Sequence, residues 1–348
     1  MSELQKLFRT AYQYQASDLY ITSGSKPILR MHGELIAIEE HPVLTRQTAE
    51  SYILEVMNPD QRKRFEQTSD IDFSYDVPHV ARFRVNIFVQ RKGIGATFRL
   101  IPETIKSIDE LGLPNHLKKL IHYKNGLILT TGPAGSGKST TLAALLDEIN
   151  RQKSCHILTI EDPIEFIHEN KKSIIEQREV GTHTQSFHRA LKAGFREDTN
   201  VILIGELRDP ENFSLALTAA ETGHLVLSSI HTSGAAGAVN RIIDSFPAEQ
   251  QGQIRFQLSE SLRAVIWQTL VKKKDETGRI AATEIMLNNK AISNLIRKGH
   301  THQIHSIIET RAKEGMQSMR QSLESLVEKG LISQKTAEEN MPAEMEMT

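Results

Sequence analysis

The chain has 348 residues, enough for two domains at the usual size of about 100–200 residues each. Charged residues make up 24% and the formal net charge is -1, so composition gives no global case for direct nucleic-acid binding, which a basic surface would signal. A single cysteine, Cys155, excludes an intrachain disulfide and a cysteine-rich zinc site. No apolar run approaches the ~18 residues that span a bilayer, and no basic-then-apolar leader opens the chain. A soluble intracellular protein without a transmembrane segment is therefore expected.

Residues 1–102 read as a first domain. A helix is predicted over residues 2–15, and strands over 19–21, 27–38 and 71–75, with His32-Gly33-Glu34 as a turn. The clearest strand spans 81–90, where Ala81, Phe83, Val85, Ile87 and Val89 alternate with polar residues. A turn at Gly93 returns the chain as a strand over 96–101. Residues 103–120 form a linker in which Ser107-Ile108-Asp109-Glu110 has capping-box spacing, so a short helix is expected up to Gly112 and Pro114.

From residue 121 strands and helices alternate. Strands are predicted at 127–131, 156–160, 201–205 and 225–230, and helices from Ser139, near 184–195 and near 212–220. The pattern implies an α/β domain over 121–335 with a largely parallel sheet. Helical segments are expected over 250–269 and past Lys290. Residues 336–348 are expected to be a disordered tail.

The strongest local signal is Gly132-Pro133-Ala134-Gly135-Ser136-Gly137-Lys138-Ser139-Thr140, which reads G-x-x-x-x-G-K-[ST]. It follows an apolar strand and opens a helix, the context that a phosphate-binding loop requires. Glycines let backbone N–H groups curl around phosphate oxygens, and the helix terminus adds a favourable dipole. Lys138 is expected at the outer phosphates and the Ser139 hydroxyl at Mg²⁺. The chain is thus predicted to bind a nucleoside triphosphate with Mg²⁺.

Val201-Ile202-Leu203-Ile204-Gly205-Glu206 is an apolar strand ending in a carboxylate, which places Glu206 to orient or deprotonate the attacking water. Arg208 and Asp209 flank it, and an acid capping the following helix is the plainer alternative. Glu161-Asp162-Pro163-Ile164-Glu165 follows another apolar strand. Either these acids hold metal-bound water, with Asp162 or Glu161 and Glu165 acting through water, or they are an acidic loop.

Arg82 and Arg84 share one strand face, and a hairpin centred between Arg91 and Lys92 sets Arg84 opposite Arg99. Like charges facing each other are destabilising, which argues for a triphosphate between them; pairing to acids such as Asp70 and Asp72 is the alternative. His224 and His231 bracket the strand over 225–230; either one senses the nucleotide and the other touches a neighbouring domain, or both are buried, hydrogen-bonded structural histidines. His300, His302 and His305 read as surface residues.

These pieces, in this order, resemble the secretion ATPase superfamily, most closely its PilT-like type IV pilus retraction branch. The resemblance rests on Ala81-Arg82-Phe83-Arg84-Val85-Asn86, the glycine loop, Glu161-Asp162-Pro163-Ile164-Glu165 (the Asp box), Gln177-Arg178-Glu179-Val180-Gly181, Gly205-Glu206-Leu207-Arg208-Asp209 (Walker B) and Thr222-Gly223-His224 through His231-Thr232 (the His box). Ile296-Arg297-Lys298-Gly299-His300-Thr301-His302-Gln303-Ile304 and Gly315-Met316-Gln317 add to it.

The resemblance implies a PAS-like α+β domain, then a RecA-like P-loop ATPase domain, in a hexameric ring. It implies ATP in the cleft between the domains, Glu206 as catalytic carboxylate, Arg82, Arg84 and Arg99 at the phosphates, and functional histidines at 224 and 231. Partners would be five further copies and an inner-membrane pilus platform protein, with pilin reached indirectly, at the cytoplasmic face. The length and the single cysteine favour the retraction branch over extension and type II secretion ATPases. A related ring ATPase of a type II or type IV secretion or DNA-uptake system is the alternative.

Overall fold

The computed structural model describes residues 2–31, 33–101 and 104–342. The chain forms two compact units, one of Met1–Thr104 with Asp162–Ile167, the other of Ile105–Glu161 with His168–Thr348.

In the first unit, helix α1 (Glu3–Gln13) starts at a capping box between Ser2 and Gln5. Leu4, Leu7, Phe8 and Ala11 recur at helical spacing and are buried. Strands β1 (Asp18–Thr22), β2 (Ile28–Met31) and β3 (Glu34–Ala37) follow, and then helices α2 (Arg46–Glu55) and α3 (Pro59–Thr68). Strands β4 (Asp70–Val77), β5 (Ala81–Gln90) and β6 (Gly93–Ile101) complete an antiparallel sheet in the order β3-β2-β1-β6-β5-β4. The Phe8 ring packs 4.7 Å from Phe83 and 5.0 Å, edge-on, from Phe98, so α1 closes over the apolar face of β5 and β6. His32 of the expected turn lies outside the described residues; Gly33 turns with φ 92°.

The second unit opens with a turn at residues 108–112 and a 3₁₀ helix, Asn115–His122. The Ser107–Glu110 bonds of the expected capping box form, at 2.7 and 3.3 Å, but they hold a turn and no α-helix follows. Pro114 cuts the segment short. Then come β7 (Gly126–Thr131), α4 (Lys138–Gln152), β8 (His156–Glu161), β9 (Ile174–Glu179), α5 (Phe187–Gly194), β10 (Val201–Ile204), α6 (Pro210–Glu221), β11 (Leu225–Ile230), α7 (Ala235–Asp244) and α8 (Ala248–Ser261). Strands β12 (Leu262–Lys272) and β13 (Arg279–Leu287) precede α9 (Lys290–Lys298), α10 (Ile304–Thr310), α11 (Met319–Glu328) and α12 (Gln334–Glu339).

The sheet order is β13-β12-β7-β11-β10-β8-β9, and β13 is its antiparallel edge. Side chains alternate between its two faces: Leu127, Leu129, Leu158 and Ile160 enter one core, Ile128 and Ile157 the other.

Two further expectations are corrected. The stretch 250–269 is helix only to Ser261; the remainder is β12, buried on both faces. Residues 336–339 are not a disordered tail, because α12 covers them and buries Ala337 to 3% exposure. Residues 343–348 and the linker positions 102–103 lie outside the described residues.

Candidate active site

The strand register aligns four carboxyl ends. Thr131 of β7 pairs with Ile230 of β11, and Ile204 of β10 pairs with Ser228 of β11 and with Ile160 of β8. The residues that follow, Gly132, His231, Glu206 and Glu161, therefore lie along one edge of a parallel sheet. That edge is where α/β proteins bind ligands.

The phosphate loop is shaped for an anion. Gly137 is the N-cap of α4 at φ 87°, and it offers no side chain to satisfy the first turn's amides. Those N–H groups and the helix dipole face outward. Pro133, Ala134, Gly135 and Ser139 are exposed, and Thr140 is half-buried in the first turn. Lys138 folds back, its Nζ donating to the carbonyls of Gly132 at 3.0 Å and Pro133 at 2.9 Å. A bound phosphate would offer that ammonium stronger, charged acceptors.

His231 joins the lysine to the carboxylate. Its Nδ1 is 3.4 Å from Lys138 Nζ, and its Nε2 is 3.4 Å from Glu206 Oε1. Glu206 also receives Arg208 at 2.9 Å. Asp209 is the N-cap of α6, accepting Asn212 N–H at 2.9 Å, so the capping alternative holds for Asp209. Glu161 accepts the Thr159 hydroxyl at 2.7 Å and the Gln177 amide at 3.3 Å.

Sequence reasoning overlooked the side chains that shape this edge. The Ser228 and Ser229 hydroxyls donate to the carbonyls of Ile204 and Gly205, each at 2.7 Å, and so tie the Glu206 strand end to β11. Thr131 Oγ1 donates to Thr232 O at 2.7 Å and accepts Thr232 N–H at 3.1 Å, fixing the chain after His231. Gln268 of β12, 1% exposed, donates Nε2–H to Ser136 O at 2.7 Å inside the phosphate loop. The loop also presses on the Gln268 backbone: a Cβ on Gly132 (φ 143°) would sit 2.3 Å from Gln268 O. Only glycine serves there. The signal in the sequence was a polar residue inside the apolar run Leu262–Lys272.

Other candidates stand apart. His224 lies at the amino end of β11, about 20 Å of strand away from His231. Its Nδ1 meets Ala219 O at 3.1 Å, its ring lies 5.6 Å from Phe195, and it is half-buried.

In the first unit Arg84 does pair with Arg99 across β5 and β6. The repulsion is already relieved. Arg99 Nε donates to Asp18 at 3.0 Å, and Asp18 is 4% exposed. Arg84 lies 3.8 Å from Asp72 and 3.6 Å from Glu165. Arg82 binds Asp76 at 3.1 Å and Ser74 at 2.5 Å. The argument that these cations need an anion to offset one another thus loses its force.

Oxygen donors of the kind a hard divalent cation such as Mg²⁺ takes are the exposed Ser139 hydroxyl in the first turn of α4 and the Glu161 and Glu206 carboxylates at the strand ends. Among the described residues no three His, Cys, Asp or Glu side chains gather as a metal cluster. Glu165 belongs with the first unit, and the Asp162–Pro163 peptide is cis. Among the described residues, no helix is long and apolar enough to cross a membrane.

A family model for Type II/IV secretion system proteins matches residues 1–341. A twitching motility protein of Neisseria gonorrhoeae is 49% identical over 331 residues, covering 95% of this chain and 88% of that one. The type IV pilus retractation ATPase PilT of Pseudomonas aeruginosa is 48% identical over 337 residues, 97% of each. The crystal structure of the pilus retraction motor PilT with bound ADP superposes with a TM-score of 0.90 at 42% identity, covering 100% of both chains. The chain belongs to the type II/IV secretion ATPase family, within its PilT-like pilus retraction branch.

Proposed function

We propose that the chain is the ATP-hydrolysing motor of type IV pilus retraction, the activity that drives twitching motility. The observation that carries the reading is His231, placed between the phosphate-loop lysine and Glu206 on one sheet edge. Similarity along nearly the whole length of a pilus retraction ATPase, at 48% identity, supports the cellular role.

In this reading the triphosphate lies over the open N-terminus of α4, and Lys138 leaves the carbonyls of Gly132 and Pro133 for the outer phosphates. The Ser139 hydroxyl would hold Mg²⁺, with Asp162 or Glu161 and Glu165 acting through water, and the cation would supply charge neutralisation at the phosphates. Glu206 orients the attacking water and takes its proton, and His231 holds that carboxylate against the lysine. Arg82, Arg84 and Arg99 keep the role at the phosphates that the family pattern gives them, exchanging carboxylate partners for phosphoryl oxygens.

The first unit is PAS-like and the second RecA-like. Six copies form a ring at the cytoplasmic face of the inner membrane, where a platform protein passes motion to pilin.

The test is imaging of labelled pili in cells whose sole copy carries Glu206→Gln. Pili that extend without retracting are expected. Unchanged retraction refutes the proposal.

A further inference from the structure

Glu284 is a buried carboxylate that the chemistry above does not use. It stands on β13 with 4% exposure. Its Oε1 accepts the Ala235 N–H at 2.8 Å, a bond that spans 49 positions of sequence. Its Oε2 is 3.7 Å from His305 Nδ1.

Ala235 is the first residue of α7, whose N-cap Gly234 (φ 71°) has no side chain with which to cap the helix. Helix N-termini leave N–H groups orphaned and favour negative charge. Glu284 supplies from a distant strand the cap that Gly234 lacks. His305 is the facing ionisable group: its interaction with Glu284 raises its pKa against the opposing effect of burial, and Glu309, 3.3 Å from Nε2, adds to the rise.

The consequence lies one loop away. Only residues 231–234 connect β11 to α7. Thr131 pins that loop at Thr232, and Glu284 pins it at Ala235. His231, which reaches both Glu206 and Lys138, sits just before the first pin. A loop this short transmits displacement of either anchor to the imidazole.

We infer that Glu284 is a positioning residue for the hydrolysis reaction, setting His231 between Glu206 and Lys138 by anchoring the start of α7, with His305 beside it. The inference rests on the ATPase reading above.

The experiment measures steady-state ATP hydrolysis and ADP affinity for the full chain, Glu284→Ala, Glu284→Gln, His231→Ala and the Glu284→Ala/His231→Ala double variant. Misplacing a catalytic contact by about 1 Å can cost about 100-fold, so Glu284→Ala is expected to lower kcat about 10- to 100-fold, with ADP affinity and KM unchanged. Glu284→Gln keeps an acceptor for Ala235 N–H and is expected to recover most of the rate. In the His231→Ala background, Glu284→Ala is expected to cost nothing further, since residues that act through one another are non-additive.

An equal loss in both backgrounds overturns the inference, as does an unchanged kcat in a folded Glu284→Ala. Should the alanine variant not fold, Glu284→Asp withdraws the carboxylate by one methylene while keeping the charge; a wild-type kcat in that variant also overturns it. A wild-type chain with no ATP turnover overturns the ATPase reading itself, whereas wild-type turnover that ignores position 284 overturns the inference alone.

Discussion

Gln268→Leu removes one hydrogen-bond donor while nearly conserving volume. The Gln268 amide donates to Ser136 O at 2.7 Å and is 1% exposed, so water cannot replace it without opening the core. Leucine would leave the Ser136 carbonyl a buried orphan, which costs about 1–3 kcal/mol. The bond ties the wall of the sheet to the loop whose amides must converge on phosphate. If the whole cost falls on the binding-competent loop, ADP affinity drops by about 5- to 150-fold at 1.4 kcal/mol per factor of ten. Gln268→Glu keeps the shape but opposes two acceptors, and its loss should exceed that of leucine. A fluorescent ADP titration measures both, with thermal melting as a control for folding. A Gln268→Leu variant that melts normally and binds ADP like wild type would refute the idea that β12 braces the loop.

Two further outcomes are expected. Arg84 is half-buried and its ion pairs are long, 3.6 and 3.8 Å, so Arg84→Ala should leave folding and ADP binding near wild type. It should lower turnover by roughly 10³-fold if the guanidinium meets the transferring phosphoryl group, and an unaffected rate rejects that role. His168 is half-buried, and desolvation of its ring lowers its pKa from 6.5 to about 4, with partial opposition from Asp147. The unfolded chain therefore binds that proton more readily. Stability from the neutral ring is complete above pH 6.5 and declines as pH falls toward 4, by about 2 kcal/mol at pH 5. Urea unfolding at pH 7.5 and 5 should show this loss in wild type and not in His168→Leu; equal slopes count against it.

What could be read from residues alone follows how local each constraint is. The phosphate loop is legible because its conformation demands glycines, lysine and a hydroxyl at fixed spacing, and the flanking strand and helix confirm it. The Arg84–Arg99 pairing follows from counting back from one turn. Its consequence could not be read, because the acid that neutralises Arg99 comes from Asp18, 81 positions earlier. Strand β12 reads as helix in sequence because Ala264, Val265 and Ile266 are all fully buried, and an apolar run closed on both faces carries no period. Helix α3 was missed despite a clear start, Asn58 capping through Gln61 with Pro59 at the first position. The two histidines of one motif part company for the same reason: six strand residues separate them, and only the carboxyl end of a parallel strand faces the site.

The overlooked residues share a chemical property. Gln268, Ser228, Ser229, Thr131 and Glu284 each grip a backbone group, at Ser136, Ile204, Gly205, Thr232 and Ala235 respectively. A backbone N–H or C=O is the same at every position, so its partner is selected by where the chain passes and not by a recognisable neighbour in sequence. Residues that meet phosphate are selected by charge and reach, and so they leave a motif. The motif residues supply the chemistry, and the buried grips decide whether those groups stand within the few tenths of an ångström that catalysis tolerates. A chain with its glycine loop, Glu206 and His231 intact but with Gln268 or Ser229 exchanged would read as the same ATPase and turn over as a poorer one.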